Sequence, residues 1–79
     1  MVFKIRNTQW SKSLLDNYPI LHNYGYHNEH NDNWGATVGY IIINSPEELV
    51  DLSNDLHEPI IISQDGNEPE IEIYDDFRE

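Results

Sequence analysis

Four carboxylates open the chemical reading of this chain. Glu47, Asp51, Asp55 and Glu58 are spaced at i, i+4, i+8 and i+11, the repeat of one stripe on an α-helix. Like charges four apart cost a helix about 0.2–0.5 kcal/mol per pair, and no lysine or arginine lies between Pro46 and His57 to relieve them. Asp55 and Glu58 also sit where the helix dipole favours cations. A stripe that costs helix stability points to a use for the charge. A second row follows, with Glu70 and Glu72 alternating with Ile71 and Ile73, then Asp75 and Asp76. Carboxylates four apart on a helix are separated by about 6 Å of rise, and alternate residues on a strand by roughly 6–7 Å. Both spacings suit basic residues arranged to grip successive phosphates. The expected partner-binding set is therefore Glu47, Asp51, Asp55, Glu58, Glu70, Glu72, Asp75 and Asp76. It serves nucleic-acid mimicry, another acidic protein contact, or solubility.

Histidine supplies the second constellation. His22, His27 and His30 lie with Glu29 and Asp32 in one short stretch, and imidazole with carboxylate suits zinc and its neighbours. Three residues apart is a helical spacing, however, and this stretch reads as strand and turn. On a strand His22 and His27 point to opposite faces. A polar hairpin is the simpler expectation, with no metal and no cofactor.

Tyr18, Tyr24, Tyr26, Trp34 and Tyr40 gather in the same half. Single-strand binders set such rings beside a basic groove, which this half lacks, so direct nucleic-acid binding is not expected. The rings suit packing on a sheet or anchoring a protein interface. Ser53, His57 and Asp55 make a catalytic set only on paper. Asp55 falls on another helix face from Ser53 and His57, and no glycine elbow accompanies them. Gly25, Gly35, Gly39 and Gly66 are isolated rather than clustered into a phosphate loop. No enzyme is expected.

The charge balance sharpens the acidic reading. Of 79 residues, 15 are acidic and 4 are lysine or arginine, a net charge of −11. Residues 1–43 balance Lys4, Arg6 and Lys12 against Asp16, Glu29 and Asp32, so every unit of net charge lies in residues 44–79, where Arg78 is the only base. Such a field repels nucleic acid and anionic membrane and attracts basic proteins. There is no cysteine, which fits a reducing cytosol. The first residues, Met1 to Arg6, lack the apolar core and cleavage site of an export signal. No apolar run approaches the roughly 20 residues of a membrane span.

These residues need elements to hold them. Alternation in residues 2–6 predicts a strand, and Trp10, Leu14 and Leu15 a short helix over 8–16 that Pro19 ends. Residues 20–28 and 34–43 alternate around His30-Asn31-Asp32-Asn33, predicting a hairpin. Ser45 with Glu48 has capping-box spacing, Pro46 suits the first helical position, and Leu49, Leu52 and Leu56 form an apolar stripe; these predict a helix over 46–57. Ile60-Ile61-Ile62 is apolar on both faces and reads as a central strand. Asp65-Gly66 marks a turn into the strand 70–74. The tail 75–79 is polar and frays unless Phe77 docks. The expected fold is α+β in one domain spanning residues 1–79. It is a single mixed sheet of about four to five strands with one main helix packed on it.

The stretches Ile42-Ile43-Asn44-Ser45-Pro46-Glu47-Glu48-Leu49-Val50-Asp51-Leu52, Glu58-Pro59-Ile60-Ile61-Ile62 and Glu70-Ile71-Glu72-Ile73-Tyr74-Asp75-Asp76-Phe77-Arg78-Glu79 resemble small acidic proteins carried by phages and prophages of Gram-positive bacteria. Some of these, several anti-CRISPR proteins among them, block host defence enzymes by occupying their DNA-binding surfaces. The resemblance implies an inhibitor in the host-cell cytoplasm whose partner is a basic nucleic-acid-binding protein, such as a nuclease. The helix followed by a Pro-Ile-Ile-Ile strand is similar to bacterial immunity proteins that neutralise toxins. That similarity leaves an immunity-type protein as an alternative. A self-associating assembly protein and a small metal-binding protein built on the histidine-rich hairpin are two more.

Overall fold

A computed structural model describes residues 1–7, 13–33 and 36–74. Five strands form one mixed sheet: β1 (Val2–Asn7), β2 (His27–Asn31), β3 (Thr37–Ile42), β4 (Ile60–Asp65) and β5 (Glu68–Ile73), in the order β2-β3-β1-β5-β4. β1 pairs antiparallel with β3 and parallel with β5, and β2 and β4 close the edges antiparallel to their neighbours. The sheet is mixed, as the residue pattern predicts.

Alternation along β1 sets the two faces. Phe3, Ile5 and Asn7 turn to the covered side with Ile41, Ile71 and Ile73, while Lys4 and Arg6 turn to the other side with Tyr40, Glu70 and Glu72. Two short helices and one longer one lie on the covered side. They are α1 (Leu14–Asn17), a 3-10 helix (Pro19–Tyr24) and α2 (Pro46–Leu56). Leu14, Leu21, Leu52 and Leu56 carry them into the core. Burying each such leucine contributes about 1.5–3 kcal/mol.

α2 matches the expected helix to within a residue. Its start departs from a full capping box: the Ser45 hydroxyl makes no cap, while Glu48 reaches back past it and accepts the Asn44 N–H at 2.8 Å. Its end is a left-handed residue, His57 at φ 59°, whose N–H donates back to Ser53 and Asn54. α2 leaves β3 and delivers the chain to β4. These strands are parallel to one another but separated by β1 and β5, so the crossover spans two intervening strands.

Two expectations fail. Residues 20–24 are a 3-10 helix instead of strand. Tyr18, Leu21 and Tyr24 recur every three residues, the 3-10 repeat; Pro19 begins the turn and Gly25 at φ 72° ends it. The alternation of Ile20, His22, Tyr24 and Tyr26 was coincident with that period. The hairpin survives, with its first strand moved to His27–Asn31. The second failure is Ile60-Ile61-Ile62, which lies at the edge of the sheet with Ile61 47% and Ile62 50% exposed. An apolar run signals burial only when something covers it: Ile61 lies opposite Glu72 on the face that carries no helix, and Ile62 sits at the open edge. Expectations for Trp10, Trp34 and the tail from Asp75 through Phe77 lie outside the described residues.

Gly39 is required by packing. A Cβ there would run into the ring of Tyr26, whose hydroxyl donates to Glu29 at 2.7 Å. Gly39→Ala should lower unfolding stability by about 1–3 kcal/mol, whereas His57→Gly, which removes a left-handed side chain, should raise it by about 0.5–1 kcal/mol. Urea denaturation of the two variants beside the wild type checks both signs.

Candidate functional site

The acidic residues divide between the two sides of the sheet. Glu47, Asp51 and Asp55 stand exposed on α2, as the stripe predicts. Glu58, the fourth member, does not join them: it lies past the left-handed His57 and is 5% exposed. Its carbonyl accepts the Ser53 hydroxyl at 2.9 Å, so that hydroxyl serves the end of the helix and is not held by the His57 ring. The change of backbone direction at His57 breaks the i+11 spacing that placed Glu58 on the stripe.

Glu70 and Glu72 belong to the opposite face. The parallel register sets Lys4 beside Glu70 and Arg6 beside Glu72, and Arg6 bonds both acids, Nε to Glu70 at 3.0 Å and Nη2 to Glu72 at 3.5 Å. Glu70 is buried there. Lys4 meets Asp65 at 2.8 Å. That hydrogen bond holds the ammonium above its usual pKa and the Asp65 carboxyl below its own. The expected partner-binding set therefore divides: a sheet separates its two rows, and Lys4 and Arg6 partly offset the charge on the second. Asp75 and Asp76 lie outside the described residues.

What remains on the helix side is concave. A cleft of about 440 Å³ opens between the 3-10 helix, the end of β3 and α2, lined by Asn23, Tyr24, Gly25, Ile42, Asn44, Glu48, Asp51 and Asp55. None of these is basic. Tyr24 donates its hydroxyl to Asp55 at 2.8 Å. Its phenol is pushed well above the ordinary value, first by burial, then by the bond to Asp55, then by the charges of Asp55, Asp51 and Glu48. One carboxylate thus bonds the hydroxyl, and two more line the same cleft. Tyr26 is raised in the same direction, by burial first and then by Glu29.

Glu48, Tyr24 and Asn44 were missed by the sequence reading. Glu48 had been assigned to capping alone, although Glu48, Asp51 and Asp55 follow the i, i+3, i+7 spacing of one helix face. Tyr24 had been placed on a strand. Nothing in the linear sequence brings Asn23 and Asn44 together; tertiary structure does.

The histidine-rich hairpin is organised around a ring. A bulge between His27 and His30, with Asn28 at φ 57°, turns both imidazoles to Tyr40, at centroid distances of 5.9 and 6.2 Å. Each Nδ1 is held by a backbone carbonyl, Gly25 for His27 and Asn28 for His30. Glu29 accepts from Ser13 and Tyr26, and Asp32 accepts the Ala36 N–H across the turn. These carboxylates are engaged in structural bonds. Among the described residues no three of His, Asp and Glu assemble as a metal-ligand group, and no helix is long and apolar enough to cross a membrane.

Comparison with protein-family models, curated proteins and solved structures finds no match for this chain.

The raised phenols give a pH test. A folded phenol held above its unfolded value, ordinarily near 10, contributes stability that is complete below that pH. The contribution is lost as pH rises through the folded value. Spectrophotometric alkaline titration should find two late phenols. Tyr24→Phe should remove one of them without changing the other.

Proposed function

We propose that this protein is an acidic inhibitor that occupies the basic, nucleic-acid-binding surface of another protein, acting in the cytoplasm of a bacterial host as a phage-type anti-defence protein. The observation that carries this reading is the cleft beside α2. There Glu48, Asp51 and Asp55 line one cleft with no basic residue among its walls, and Asp55 accepts the Tyr24 hydroxyl. Glu47 extends the anionic surface at the start of the helix. Such a surface attracts lysine and arginine side chains set to grip phosphates, and the amide side chains of Asn23 and Asn44 offer an arginine further hydrogen-bonding positions. The net charge of −11 steers a basic partner toward the protein and repels nucleic acid.

In this reading the working anionic set is Glu47, Glu48, Asp51 and Asp55. Glu70 and Glu72 face the other way and are paired with Arg6; Glu58 is buried.

The test is competition. Protein captured from a host lysate by the tagged chain should be a basic nucleic-acid-binding protein, should elute at moderate salt because charge steering is screened, and should be displaced by duplex DNA. Reversing Asp51 and Asp55 to lysine should weaken the purified complex by roughly a hundredfold or more, near 3 kcal/mol. A partner that binds the reversed variant as tightly, or binds DNA and this chain at once, would sink the proposal.

A further inference from the structure

The two edges of the sheet are built differently. β2 is exposed along its whole length, polar, and interrupted by the bulge at Asn28, devices that keep another strand from pairing. β4 is also exposed from Ile61 onward and polar from Ser63 to Asp65, but its first half is apolar and it has no bulge. It pairs with β5 in unbroken register from Ile60 to Asp65, carries no lysine and no internal proline, and leaves Ile61 and Ile62 about half exposed.

The backbone of that edge can be assigned residue by residue. Tyr74 donates its N–H to the Pro59 carbonyl at 2.9 Å, so Pro59 and Tyr74 are a hydrogen-bonded pair of the antiparallel ladder. Such pairs alternate with non-bonded ones. Ile61, Ser63 and Asp65 therefore turn their N–H and C=O groups inward to β5, and Ile60, Ile62 and Gln64 turn theirs outward. Pro69 agrees with this parity. It stands opposite Gln64, in a non-bonded pair where its missing N–H costs the β4–β5 ladder nothing.

We propose that the outer edge of β4 receives an extended segment of a basic polypeptide, which adds to the five-stranded sheet as a further strand. The outward groups of Ile60, Ile62 and Gln64 offer the alternate N–H and C=O positions with which an extended strand pairs. Charge selects its composition. Lys4 and Arg6 are the only bases among the described residues of the sheet's second face, against Asp65, Glu68, Glu70 and Glu72. Asp65 and Glu68 stand directly opposite each other at the hairpin end, a like-charge pair that costs stability. Lysines on an added strand would lie on the face of Asp65, Glu68 and Glu72, and its β-branched residues on the opposite face, beside Ile60 and Ile62. A second copy fits poorly. It would bring another −11 of charge, and pairing two six-residue edges buries far less than the roughly 1,200 Å² of a standard interface. This edge lies across the sheet from the α2 cleft and does not depend on the function proposed for it.

The experiment is amide hydrogen exchange, read residue by residue by NMR on the full chain, with a short peptide of alternating lysine and valine as the probe. Saturating peptide should slow exchange at Ile60, Ile62 and Gln64 by roughly tenfold or more. Ile62→Pro should abolish that protection while leaving the melting temperature nearly unchanged, because the lost N–H faces away from β5. Gln64→Pro does the same nearer the turn and serves if the first variant unfolds. The Asp51→Lys, Asp55→Lys variant should keep the protection, separating this edge from the cleft. The proposal is overturned by unchanged exchange at all three amides, or by equal protection from a glutamate–valine peptide. Protection that grows with protein concentration alone would overturn it in favour of a second copy.

Discussion

The position of β1 between β3 and β5 governs both the core and the electrostatics. Its odd residues supply Phe3 and Ile5 to the core. Its even residues, Lys4 and Arg6, are two of the four lysines and arginines in the chain, and both are spent on carboxylates of the last hairpin. Parallel pairing with β5 brings both cations onto the carboxylate face of that hairpin. The same register that seats Ile5 beside Ile71 seats Lys4 beside Glu70. The carboxylates of α2, on the opposite side, receive no such cations. The contrast between a partly neutralised sheet face and an anionic helix face follows from one strand.

Burial and polarity conflict at one place on β1. Asn7 is fully buried, and neither side-chain amide atom has a hydrogen-bond partner among the described residues. An unsatisfied buried amide costs about 1–3 kcal/mol, a sizeable fraction of what a domain of this size can hold in reserve. Tyr24 and Tyr26 show the opposite arrangement: each buries most of its ring and keeps its hydroxyl on a carboxylate, so the polar end is satisfied where the ring packs.

Much of the architecture was legible in the residues because local and tertiary signals agreed. In α2 the proline at the first position, the leucine stripe and the acidic stripe all imply the same helix, and the strand from Glu70 to Ile73 alternates without ambiguity. The reading failed where two periods fit one stretch, as in residues 20–24, and where burial depended on a strand's place in the sheet order, as at Ile61 and Ile62. The candidate site was half legible. Spacing found Glu47, Asp51 and Asp55, and Glu48 was available from the same helix face. Pairing across the sheet was not available, so Glu70 and Glu72 were assigned to a face they do not share. A count of charges cannot reveal that Arg6 has already claimed them.

The bulge at Asn28 has a consequence for how this sheet grows. A sheet open at both sides can be extended indefinitely, each newcomer presenting a fresh border to the next. Here one border is kinked by a left-handed residue and lined with side chains that gain little from pairing. Extension from the other border therefore has no matching site on the far side to continue from. Two copies meeting through their β4 borders would leave only kinked borders facing outward, so a long, open-ended fibril of edge-paired copies has no geometric route to form.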